Sequence, residues 1–152
     1  MWSDQMLSVV LHDCVTSSIL TGIYALNHLP VIVKAPAAII INLSPSYQQG
    51  THWTCIYINK NRRAFYFDSL GRNPPKPIVQ FLQRNSSIYH VNKVQYQADN
   101  SVLCGLFCII YIYYKVRNVN IFSKFSKTNL QRNDQLVLNL VNKMLKANKK
   151  CK

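Results

Sequence analysis

The sequence predicts a single α+β domain spanning residues 1–152, with a central mixed or antiparallel sheet packed by helices from both ends of the chain. Three observations predict it. β-branched and aromatic runs cluster between residues 37 and 67, an apolar segment of helical length begins at Cys104, and an amphipathic segment follows near the C-terminus. The 152 residues are 49% hydrophobic and hold no low-complexity stretch, so the chain can bury a core of its own.

Taken in order, residues 5–12 can form a short helix, and residues 22–30 look like a loop with short extended pieces. AAIIINL (37–43) is a β-branched run and predicts a buried strand. SPSYQQG (44–50) is turn chemistry. HWTCIYI (52–58) and RAFYF (63–67) are strand-like, and the polar NKNR between them predicts a hairpin. The DSLG stretch (68–71) leaves the second strand. Pro74, Pro75 and Pro77 argue against an immediate helix, so helix is expected over 78–84. Residues 87–97 suggest a further strand. From Cys104 onward apolar residues cover every side of a helix, which implies burial. Residues 133–149 are amphipathic, with Leu136, Val137, Leu140, Val141, Met144 and Leu145 at helical spacing.

Composition narrows the classes of partner. Eighteen Lys and Arg face five acidic residues, a formal net charge of +13, which predicts attraction to polyanions and most simply to nucleic acid. No apolar run reaches the roughly 18–20 residues that span a bilayer, so no membrane association is expected. The N-terminus lacks the basic-then-apolar pattern of a signal peptide, and five cysteines is an odd number. A reduced, non-secreted protein is expected, with its cysteines as thiols.

The segment DNSVLCGLFC (99–108) puts Cys104 where a helix should begin. There the dipole and the free N–H groups favour a thiolate, the form that attacks carbonyl carbon. Gly105 removes a side chain beside the sulfur, and Cys108, one turn deeper, should face the core. A thiolate nucleophile needs an imidazole and a group to orient it. Of His12, His28, His52 and His90, His52 opens one hairpin strand and Asp68 closes the other. A hairpin centred near Asn61 brings these two within reach of a hydrogen bond. Each residue alone has a structural explanation: a packed histidine beside Trp53, turn chemistry at Asp68, an inert buried thiol. The ordered set His, Asp, Cys, each at the end of an element, is far more specific. Zinc is the weaker alternative, because Cys104 and Cys108 lack a second close pair of ligands and nothing positions the HDC stretch at 12–14.

Several stretches carry a family resemblance: NLSPS (42–46) leading to GTHW (50–53), YFDSLG (66–71), Gln97 seven residues before Cys104, SVLCGLFC (101–108) and LQRNDQL (130–136). At these spacings the chain resembles the adenovirus-type cysteine protease (adenain) family, most closely its members in Maverick/Polinton elements and adintovirus-like viruses. The similarity runs from about residue 22 to residue 144. It implies a papain-like fold in permuted order with a buried nucleophile-bearing helix. It also implies His52 as general base, Asp68 as its orienter, Cys104 as nucleophile and Gln97 as oxyanion donor together with the Cys104 N–H. Gln95 is a nearby competitor, and only the seven-residue offset favours Gln97.

The implied function is a viral thiol endopeptidase that cleaves capsid or core precursors during virion maturation, acting as a monomer in the virion and the host-cell interior, nucleus included. No cofactor is required for the chemistry. The resemblance implies DNA as a possible activator, and the charge supports non-specific DNA binding: nine of the 18 basic residues follow Val116 against the single acid Asp134, and Lys60, Arg62 and Arg63 form a second cluster. Such binding should weaken steeply as salt rises, and a salt-insensitive affinity for duplex DNA would rule it out. A disulfide-tethered peptide activator is not expected, because no cysteine lies between Cys55 and Cys104. A ubiquitin-like-protein deconjugating protease shares the same residue order, and a non-enzymatic DNA-packaging protein is the third alternative.

Overall fold

Leu20–Ala25 (β1), Ala37–Asn42 (β2), Trp53–Ile58 (β3), Arg63–Phe67 (β4) and Ile88–Val91 (β5) form one sheet in chain order. The computed structural model describes residues 14–47 and 52–147, so the expectations for residues 5–12, for part of the 44–50 turn and for the last residues of the C-terminal helix lie outside it. The helices are Cys14–Ser17 (α1), Lys76–Asn85 (α2), Cys104–Val116 (α3) and Leu130–Ala147 (α4), with 3-10 turns at Leu26–His28 and Ile121–Lys124.

The sheet is mixed. β2, β3 and β4 are antiparallel, while β1 joins β2 and β5 joins β4 in parallel. β2 is buried along its whole length, as a central strand with helices on both faces must be. Alternation sorts the side chains. Ala38, Ile40, Cys55 and Phe67 face α3 and α4, and Ile39, Ile41, Ile56 and Tyr66 face α2. Each fully buried isoleucine contributes about 1.5–3 kcal/mol by leaving water.

α3 is the helix the apolar run predicted. Cys104 through Ile110 and Ile112 are buried, while the tyrosines near its end are partly exposed. α4 packs Val137, Leu140, Val141 and Met144 against it, with Leu136 half-buried. Leu145 is 39% exposed, so the apolar stripe of α4 is narrower than expected.

Three sequence expectations need correction. Residues 20–25 form an edge strand instead of a loop; the register slips between Leu20 and Gly22, which breaks the alternation that would have announced it. α2 begins at Lys76 and contains Pro77, because the N–H that proline lacks has no partner in a helix's first turn. The strand expected over 87–97 stops at Val91. Beyond it the chain follows the 68–71 turn through the Asn92 side chain and isolated backbone bonds from Tyr96 and Gln97 to Ser69, in place of a regular ladder.

Gly71 sits where this crossing is tightest. Its φ is +69°, and a Cβ there would lie 2.8 Å from the Val94 carbonyl carbon and 2.9 Å from the Gln95 nitrogen. Gly71→Ala is therefore expected to lower unfolding free energy by about 1–3 kcal/mol, read from the denaturant midpoint. An unchanged midpoint would refute this account of the turn.

Candidate active site

The β3–β4 hairpin places the first two groups. Its register pairs Cys55 with Phe67 and Ile58 with Ala64, which centres the hairpin near Asn61 as the sequence suggested. His52 lies just before the first ladder residue, with its carbonyl taking a 2.9 Å bond from the Leu43 N–H. Asp68 lies just after β4. The His52 Nε2 meets Asp68 Oδ1 at 2.7 Å.

Asp68 is wholly buried, and Oδ1 also accepts the Leu70 N–H at 2.8 Å. Oδ2 takes no hydrogen bond from the described residues, so the imidazole is the carboxylate's nearest counter-charge. Asn92 clamps the Asp68 backbone from both sides. Its Oδ1 accepts the Asp68 N–H at 2.8 Å, and its Nδ2 donates to the Asp68 and Val94 carbonyls at 3.0 Å.

With Nε2 committed to Asp68, the other ring nitrogen of His52 is left for the Cys104 thiol, which lies close enough for each group to shift the other's pKa. Cys104 is the first residue of α3 and is 7% exposed. The helix starts there because the preceding turn closes on itself: Ser101 N–H bonds the Ala98 carbonyl, and Leu103 N–H bonds Ser101 Oγ.

Burial alone would raise the Cys104 pKa. The His52 hydrogen bond, the Trp53 N–H, the charge of His52 and the Gly105 N–H outweigh it, and the thiol falls below its ordinary value. Burial likewise opposes charge on His52. The hydrogen bond to Asp68, then that to Cys104, and the charges of both prevail and raise its pKa to about 9. Both shifts favour a thiolate–imidazolium pair over a neutral thiol beside a neutral ring.

Cys108 behaves in the opposite way. It is fully buried against Cys55, whose Sγ lies 3.8 Å from its carbonyl, and burial raises its thiol well above the ordinary value. Among the described residues no cluster of three His, Cys, Asp or Glu side chains is placed to hold a metal ion.

Gln97 is 2% exposed and lines the same 440 Å³ cleft as His52, Trp53, Cys104 and Gly105. Its Oε1 accepts the Ser69 hydroxyl at 2.5 Å, and its Nε2 donates to the Ser101 carbonyl at 2.8 Å. Gln95 instead turns its amide to the Gln97 carbonyl at 3.0 Å and to Asp99 Oδ1 at 2.7 Å. His52, Gln97 and Cys104 thus line one cleft, and Asp68 lies buried behind His52. Sequence reasoning missed Ser69 and Asn92. Ser69 stood inside the quoted DSLG turn, but Asn92 had no signal, because its value lies wholly in what it faces.

No protein-family model matches the chain. Over 86 residues it is 35% identical to a protein of Acanthamoeba polyphaga mimivirus named "Putative thiol protease R355", a match that takes in 49% of this chain and 28% of that one. The chain thus spans little more than a quarter of the length of that relative. Among solved structures, the ASFV pS273R protease aligns with a TM-score of 0.46 at 22% identity, over 64% of this chain and 38% of its own. The SUMO protease Ulp1, with its catalytic cysteine oxidized to a sulfinic acid, aligns with a TM-score of 0.39 at 17% identity, over 71% and 54%. These structural likenesses are too loose to carry an argument. The sequence match is to a viral protein named as a thiol protease, and a thiol–imidazole–carboxylate array suits that chemistry.

Proposed function

We propose that this chain is a viral cysteine endopeptidase that cleaves capsid or core precursor proteins, with the papain-like arrangement in permuted order that its resemblance to the adenain family implies. One observation carries the reading: an imidazole, bonded to a buried carboxylate, that shares a cleft with a thiol at a helix N-terminus and electrostatically favours its ionised form. The mimivirus relative supports the class of chemistry.

In this mechanism the Cys104 thiolate attacks the scissile carbonyl carbon, and the carbonyl π electrons move to oxygen. The resulting oxyanion is held by the Cys104 N–H and the Gln97 Nε2. Collapse breaks the C–N bond, with the His52 imidazolium giving its proton to the leaving amine. The thioester is then attacked by water, from which His52 takes a proton, and collapse releases the acid and the thiolate. Asp68 keeps the imidazole oriented and its cationic form favourable throughout. The basic surface is read as a DNA-binding face that retains the enzyme beside packaged nucleic acid.

The test is to incubate the protein, with and without DNA, with the structural proteins of its own virus and to map the cuts by mass spectrometry. Discrete cuts in precursors support the reading. Cleavage confined to ubiquitin-like conjugates would transfer the activity to deconjugation, and no cleavage in either set would remove it.

The pH profile follows from the ion pair. Hydrolysis should be bell-shaped. Its alkaline limb falls near pH 9, where His52 loses the proton that the leaving amine needs. Its acid limb falls below the ordinary thiol pKa, where Cys104 regains a proton. Alkylation by iodoacetamide needs only the thiolate, so it should follow the acid limb and not decline above pH 9. A matching alkaline decline in both rates would contradict this assignment.

A further inference from the structure

Ser69 is fully buried, yet its side chain is polar and lies outside the thiol–imidazole–carboxylate array. Its hydroxyl meets Gln97 Oε1 at 2.5 Å, while its carbonyl takes the Tyr96 and Gln97 N–H groups at 2.8 and 3.0 Å. The Ser101 carbonyl, 2.8 Å from Nε2, can only accept a hydrogen bond, so the amide must turn its nitrogen there and its oxygen toward Ser69. The Ser69 hydroxyl must then be the donor. An Nε2 group carries two hydrogens, and Ser101 engages one; Gln97 also lines the cleft that holds Cys104.

We propose that Ser69 is a positioning residue for Gln97, its hydroxyl fixing the amide so that an N–H is presented to the oxyanion. The inference rests on the reading of Gln97 as oxyanion donor and deepens it. Without the hydroxyl, Oε1 becomes a buried acceptor with no donor, and the side chain gains by swinging away from the cleft. The same turn bears Asp68, one residue earlier. A single four-residue turn therefore orients both the imidazole's partner and the oxyanion's donor.

The experiment compares Ser69→Ala, Gln97→Ala and the double variant, by kcat and KM on a cleaved peptide and by the rate of Cys104 alkylation. Ser69→Cys, close in volume but a weak donor, checks that any loss comes from the hydrogen bond and not from a cavity. The expected result is a kcat about tenfold or more lower in Ser69→Ala and in Ser69→Cys, with KM and alkylation unchanged. In the Gln97→Ala background Ser69→Ala should then cost less than about twofold, since the group it positions is gone. Independent, multiplicative losses, full kcat in either serine variant, or slowed alkylation would overturn the proposal. If Gln97→Ala itself keeps full kcat, the oxyanion reading fails first. If Gln97→Ala loses kcat and Ser69→Ala does not, only the inference about Ser69 fails.

Discussion

Cys104→Ala should abolish peptide-bond hydrolysis while leaving the fold intact. In an enzyme of this kind the nucleophile is the atom that forms the covalent intermediate, and its loss is expected to cost on the order of 10⁶ in kcat. The substitution is mild for the core. Cys104 is the first residue of α3, lines the cleft and is 7% exposed, so alanine leaves only a small gap there. The variant should melt within a few degrees of the parent, still bind substrate peptide, and lose the preferential alkylation seen below the ordinary thiol pKa. Cys55 and Cys108 do not substitute for it, because both are fully buried behind the cleft. Hydrolysis that survives in the folded variant would end the enzymatic reading. Rapid alkylation mapped elsewhere would move the reactive thiol away from Cys104.

The second large effect is expected from Asp68→Asn. Asparagine occupies the same volume, and its oxygen can still accept the Leu70 N–H, so the turn should survive. What disappears is the negative charge 2.7 Å from His52 Nε2. The oxygen that accepts the Leu70 N–H is the one that faces the ring, so the amide still accepts from Nε2 but carries no charge to hold the imidazolium. The imidazolium also loses the partner that offset its burial. A fall in kcat of about 10³–10⁴ is expected, the size seen when an orienting carboxylate becomes an amide in a triad. The alkaline limb should shift to lower pH as well, because the hydrogen bond and charge of Asp68 both hold the His52 pKa up to about 9. Steady-state rates across pH 5–10 measure both. A variant with full kcat and an unmoved limb would show that Asp68 does not act on the imidazole.

The hairpin illustrates how far local pattern reaches. Its strands are rich in β-branched and aromatic residues and its connection is short and polar, so the register, and with it the meeting of His52 and Asp68, follow from residues close in sequence. The apolar run from Cys104 likewise makes its own helix start legible. The 88–97 segment is the counterexample. It reads as one strand by composition, but from Asn92 onward its partners are the Asp68 backbone, the Ser69 carbonyl and the Gly71 turn, none of which a local pattern records. β1 is the other miss, since an edge strand with a slipped register loses the two-residue period that identifies strands.

By itself, the sequence determined the α+β class, the hairpin, the start of α3 and the three residue types whose chemistry suits a nucleophile, a base and an orienter. Each of those follows from neighbours in the chain, through periodicity, turn chemistry and the dipole of one helix. Only the tertiary structure decided that Nε2 rather than Nδ1 of His52 faces the carboxylate, that Gln97 and not Gln95 lines the cleft, and that Asn92 and Ser69 hold the two polar arms in place. These are facts about direction between segments distant in sequence, and a side chain's direction is set by what packs around it.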